Sequence, residues 1–152
     1  MFLKTILLLT MLFCHIVDDY YLQGWLASAK QKSWWEKNAP DKLYKNDYIM
    51  ALCEHAFSWT FMIMLIPTIY TYFNPNELIY KMYVFVFCFN WVIHCIIDDC
   101  KANKKNINLI QDQLIHILEQ KMKLKRLAKN SIKNIILIYI WKNIIVRVLK
   151  KA

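Results

Sequence analysis

The residues of this chain that could do chemistry are four histidines and the aspartates beside them. His94 and Asp98, in the stretch WVIHCIIDDCK, stand four residues apart. On a helix that spacing puts both side chains on one face with Cβ atoms about 6 Å apart, near enough to share a ligand. Imidazole and carboxylate together are suited to a divalent metal such as zinc, manganese or iron. His15 and Asp19 repeat the HxxxD spacing, Asp112 and His116 give it in reverse within DQLIH, and His55 stands alone. The candidate metal ligands are therefore His15, Asp19, His55, His94, Asp98, Asp112 and His116. Seven such groups exceed what one tetrahedral ion needs, so the sequence leaves open one ion with spare acid/base groups or a pair of ions.

These residues have to be positioned by apolar helices. The 152-residue chain is 58% hydrophobic and 15% aromatic, with a single glycine and a formal charge of +9. One glycine argues against a strand-and-turn architecture, and the apolar content argues against disorder. Lys and Arg are nearly absent from the apolar runs and abundant between and after them, a segregation that suits contact with anionic headgroups. Part of the Lys, Asn and Ile content fits an AT-rich coding bias. The five cysteines are odd in number and include no CxxC pair, so they read as small apolar helix residues rather than a disulfide or zinc framework.

In chain order, residues 1–17 form an apolar helix resembling a signal peptide without a cleavage site, retained and continuing through Asp18 and Asp19 to the interfacial tyrosines Tyr20 and Tyr21. Residues 22–47 mix Trp25, Trp34 and Trp35 with five lysines, and read either as an interfacial helix or as a loop whose tryptophans pack on the bundle. Pro40 ends any helix there. Residues 48–73, kinked at Pro67, and 78–97 form a spanning hairpin turned at 74–77. A basic loop, 101–108, leads into a short apolar stretch, 109–118. The segment 119–133 is dominated by charge, and 135–149 is apolar but broken by Lys142, Asn143 and Arg147.

The expected fold is all-α: a polytopic membrane bundle of three spanning helices with interfacial amphipathic helices, and a fourth span left open at the C-terminus. Residues 1–118 form the membrane domain carrying the motifs, and 119–152 a basic amphipathic tail. The tail's partners are expected to be membrane lipids, and nucleic acid ranks below them for want of a recognisable motif. A homo-oligomer is compatible with the sequence. Basic segments at 30–45 and 101–133 bracket the hairpin on one side, so the positive-inside tendency makes that side cytoplasmic and puts all seven candidate ligands near the cytoplasmic face of the inner membrane.

Across residues 10–118 the motifs resemble those of the domain-of-unknown-function 3307 family of small prokaryotic and phage membrane proteins. The resemblance is carried by His15, Asp19, Leu22, Gln23 and Trp25; by His55; by His94, Asp98 and Lys101; and by Asp112, Gln113 and His116. That family continues DQxxH into another apolar helix, where this chain has the charged segment 119–133. The arrangement is similar to that of membrane-bound proteins described as metal-dependent hydrolases, and it implies hydrolysis of an ester, phosphodiester or phospholipid headgroup at the bilayer surface. On that reading Asp19 and Asp98 are ligands or general bases, His55 is a ligand or proton shuttle, and Gln23 and Gln113 orient water or substrate. Lys101, Lys104 and Lys105 would hold an anionic substrate. A non-enzymatic membrane protein, with the cluster as a structural metal site or polar network, is the alternative; a proton carrier is a third.

Overall fold

The structure is a computed structural model and describes residues 2–73 and 77–127. The described residues are helical with connecting turns and contain no strand. The first helix, α1 (Phe2–Val17), runs without a break into a π-helical turn at Asp18–Leu22. The wider turn is closed by the Gln23 amide donating to the Asp18 carbonyl, 3.1 Å away. Such turns occur often at functional sites. Here it lets Asp18, fully buried, and Asp19, partly buried, both reach the inner side of α1.

Gly24, the only glycine of the chain, follows with φ +46°. A side chain would be strained in that backbone conformation, although a Cβ there would meet nothing. The reversal sends the chain back over the bundle as two short helices, α2 (Trp25–Ala29) and α3 (Lys32–Asn38). The connector is helical rather than a loop, and α2 lies against the long helix α4 (Asp47–Phe73) while Trp25 stays exposed. Trp25, Trp34 and Trp35 meet edge to face, with ring centroids 5.1–6.1 Å apart. Helix α3 stops at Asn38, ahead of Pro40, and a 3-10 turn at Lys42–Tyr44 is capped by the Asp41 carboxylate on the Leu43 amide.

Helix α4 continues through Pro67, where the ring removes a backbone donor. Nearby, the Thr68 hydroxyl donates to the Met64 carbonyl and that of Thr71 to the Pro67 carbonyl. Helix α5 (Glu77–Ala102) lies antiparallel to α4, tied to it by the Trp91 indole on the Cys53 carbonyl and by Thr68 on Tyr83. Trp59, Ile63 and Met64 form the core between them, with Tyr83, Val86 and Phe87 packed around. All five cysteines are free.

Helix α6 (Leu109–Leu127) packs on α1 and α5 as one continuous helix, so the expected boundary at 118/119 falls within it. Its polarity is reversed relative to a water-soluble surface helix. Asp112, His116, Glu119 and Gln120 are buried, whereas Leu109, Ile110, Leu114, Ile117 and Leu118 face outward. The outer face of α1 is likewise apolar at Ile6, Leu9, Phe13 and Ile16. Three stretches, Thr5–Leu22, Lys42–Phe73 and Tyr83–Ala102, are long and apolar enough to cross a membrane. The segment 135–149, expected as a poor fourth span, lies outside the described residues.

Candidate metal centre

Four helices contribute to one buried polar cluster. Asp98 is at its middle: Oδ2 lies 2.7 Å from His55 Nε2 and 3.8 Å from His94 Nε2, while Oδ1 is 4.0 Å from His116 Nε2. The HxxxD spacing thus does what helix geometry requires on α5. Helix α4 then brings His55, and α6 brings His116. Two groups of side chains, Asp19 with His55 and His94, and His94 with Asp98 and His116, have ligand atoms within 4.8 Å of one another. His94 belongs to both.

His94 is the least satisfied histidine of the cluster. It is 1% exposed, and neither ring nitrogen has a hydrogen-bond partner among the described residues. Buried polar nitrogens are ordinarily paired, since leaving one unpaired costs roughly 1–3 kcal/mol. The ring is held in place by stacking on Trp59, with centroids 4.0 Å apart, and against His116 at 4.4 Å. Asp19 shows a related shortfall: Oδ1 is buried without a hydrogen bond, while Oδ2 is 3.8 Å from His15 Nε2.

His55 has a defined tautomer. Its Nδ1 lies 2.8 Å from Gln23 Oε1. The Gln23 amide nitrogen donates to Asp18 Oδ2, and Asp18 Oδ1 receives the Ser58 hydroxyl at 2.7 Å. Gln23 Nε2 also reaches the His55 carbonyl at 3.3 Å, and a carbonyl only accepts, so the NH2 end of Gln23 faces that carbonyl and Asp18 while the oxygen end faces the His55 ring. With Nδ1 carrying a proton toward Gln23, the neutral ring accepts at Nε2 from the Lys30 ammonium 2.7 Å away. The Gln23 contact is the kind of outer support that fixes metal-ligating histidines.

The remaining candidates are placed around this middle. His15 is 2% exposed and packs beside His116, but it lies outside both groups: Nδ1 accepts from the Trp59 indole and Nε2 faces Gln113 Oε1 at 2.9 Å. Asp112 also lies outside them, between Lys101 Nζ at 2.6 Å and His116 Nε2 at 3.2 Å. Burial disfavours its ionised form, yet His116 and then Lys101 hold the carboxyl below its usual range. Burial also opposes the His116 cation, but Asp112 and Glu119 outweigh it and push the imidazole up to about 9.

Four contributors were not legible as site residues in the sequence. Lys30 reads there as a connector lysine, but its ammonium lies 2.5 Å from Asp98 Oδ2 and 2.7 Å from His55 Nε2. Asp18 looks equivalent to Asp19 until the π turn separates their roles. Trp59 reads as a core aromatic. Glu119 reads as the start of a basic tail, whereas its Oε2 is 3.7 Å from His116 Nδ1. An i,i+3 spacing from His116 was the available signal. Of the three lysines expected to hold an anion, Lys101 is paired with Asp112 and Lys104 with Asp99 at 2.8 Å.

No family model, no curated protein and no solved structure matches this chain. The resemblance noted above therefore rests on its motif residues alone.

Proposed function

We propose that this is an integral membrane hydrolase that uses one or two divalent ions, zinc, manganese or iron, to cleave an ester or phosphoester at the cytoplasmic face of the inner membrane. The observation that carries the reading is His94, buried in both ligand groups with neither ring nitrogen hydrogen-bonded among the described residues. Cations at these groups would fit the donor chemistry: neutral imidazole at His55 and His94, carboxylate at Asp19 and Asp98. When bound, such an ion supplies the positive charge that polarises an ester or phosphoryl oxygen and acidifies water.

The protein's own groups supply the rest. Asp19, with one buried oxygen uncommitted, is the proton acceptor. Gln23 and Asp18 hold His55, Trp59 holds His94, and Gln113 holds His15. Asp98 lies only four residues before the end of α5, about 6 Å along the axis, which favours a substrate that approaches from the headgroup region. The connector and the α5–α6 loop are tied together by Asn103, which accepts from the Lys32 amide at 2.8 Å and donates to the Lys30 carbonyl at 3.2 Å. Two lysine-bearing segments thereby share one end of the bundle, and the positive-inside tendency makes that end cytoplasmic.

The test is hydrolysis of a panel of phosphomonoesters, phosphodiesters and phospholipids by the purified, metal-supplied protein. Wild type should cleave at least one class and His94→Ala none, with both inserted and folded. Equal rates in the two proteins would sink the assignment.

A second reading, a non-catalytic polar network that fixes helix packing, is favoured by the ammonium groups of Lys30 and Lys101 already paired with Asp98 and Asp112. It expects His and Asp substitutions to lower stability with no hydrolysis to lose.

A further inference from the structure

Lys30 occupies an unusual place for a lysine of a surface connector. It follows the last residue of α2, its side chain is only 13% exposed, and its ammonium reaches Asp98 Oδ2 at 2.5 Å and His55 Nε2 at 2.7 Å. Asp98 belongs to one ligand group and His55 to the other, so a single ammonium touches a ligand of each. The placement is built by several contacts. Gly24 provides the reversal, the Lys30 amide donates to the Leu26 carbonyl at 3.0 Å, and Asn103 holds the Lys30 carbonyl.

The electron pairs that the ammonium takes are those a divalent ion would need. His55 has no second nitrogen to offer, because Nδ1 is committed to Gln23. Two cations cannot share one carboxylate oxygen and one imidazole lone pair at such distances without strong repulsion. Lysine is suited to exchange, since its charge sits on a flexible four-carbon stem that can withdraw without moving the helix. His94 receives no such occupant: neither ring nitrogen has a hydrogen-bond partner among the described residues.

We propose that Lys30 is a resident cation of the centre, and that a divalent ion loads by exchange, displacing the ammonium from Asp98 and His55. The inference rests on the reading that the cluster binds a divalent ion, and it adds the regulation of that binding. Lys30 neutralises Asp98 in the metal-free chain and so permits the bundle to fold before metal is available. The same contact lowers the apparent affinity, because the ion competes with an occupant already in place.

The experiment is calorimetric titration of manganese and zinc ions into chelator-stripped, detergent-purified wild type, Lys30→Met, Lys30→Gln and His94→Ala. Removing the competing charge should tighten binding in both Lys30 variants by about tenfold or more, as when a non-binding state is eliminated. Stripped Lys30→Met should melt below stripped wild type and recover with metal, while Lys30→Gln keeps a neutral donor to Asp98. His94→Ala should lose binding. Equal or weaker affinity in both folded Lys30 variants would overturn exchange and leave the metal reading standing. No binding by wild type or by either variant would overturn both. Failure of both variants to fold even with metal supplied would also count against exchange, since the ion should replace the missing charge.

Discussion

Gln23 presents its Oε1 to His55 Nδ1 at 2.8 Å, and Asp18 together with the His55 carbonyl sets which way round that amide stands. The relationship links the end of α1 to α4 and leaves His55 Nε2 as an acceptor. If that lone pair is a metal ligand, losing its support should weaken binding without removing a ligand. Gln23→Leu should lower divalent-ion affinity by roughly 10–100-fold. Asp18→Asn, which loosens the hold on that amide, should lower it less. Titration of each variant with zinc ions checks the order, and an unchanged Gln23→Leu affinity would contradict it.

Trp59 is wholly buried beneath the cluster, stacked on His94 and 4.9 Å from His116. Truncation to alanine removes a large ring from the core and should cost about 3–5 kcal/mol of stability. Because the indole lies against two imidazoles, cobalt ions bound at the cluster should quench its emission. Trp59→Phe should abolish the saturable part of that quenching while retaining metal binding. Quenching that persists in the variant would point to another tryptophan as the reporter.

The positions along α1, α4 and α5 were legible because apolar runs of membrane length constrain where helices begin and end. The i,i+4 pairs were legible for the same reason, since helix geometry alone puts His94 beside Asp98. What sequence could not show was rotation and register. Asp18 and Asp19 are adjacent, and only the π turn distinguishes a carboxylate that supports His55 from one left open beside His15. Lys30 was hidden by its neighbours: among five lysines in a tryptophan-rich connector, nothing local marks the one that turns inward. The reversed polarity of α6 was obscured by the charges that follow it, so Glu119 and Gln120 read as tail although they are buried.

His116 gives the metal-free protein a pH dependence. Its folded pKa is raised from 6.5 to about 9 by Asp112 and Glu119 acting against burial. A raised value for a cationic acid contributes stability that is complete below pH 6.5 and is lost as pH rises through about 9. Asp112 acts in the opposite range: its lowered value contributes stability above the usual 3.8 that is lost as pH falls further. Chelator-treated wild type should therefore melt at a lower temperature at pH 9 than at pH 6.5, and His116→Asn should show a smaller difference. Equal slopes in the two proteins would remove His116 as the cause.

Asn103 fastens the connector to the α5–α6 loop through the Lys32 amide, the Lys30 carbonyl and Asp99 Oδ1, the last at 3.0 Å. Asn103→Ala should cost about 1–3 kcal/mol by leaving these groups without a protein partner. It should also loosen Lys30 and so raise divalent-ion affinity, though by less than Lys30→Gln. Thermal unfolding paired with ion titration separates the two effects, and a variant that loses stability with no change in affinity would uncouple Asn103 from the cluster.

The proposed function requires the buried His/Asp cluster to hold a divalent ion. Elemental mass spectrometry of detergent-purified wild type, beside a His94→Ala, Asp98→Ala double variant of equal helical content, tests it directly. Wild type should carry one or two equivalents of zinc, manganese or iron per chain, and the variant should lose them. Folded wild type that holds no metal after resupply, or a variant that retains the full amount, would contradict it.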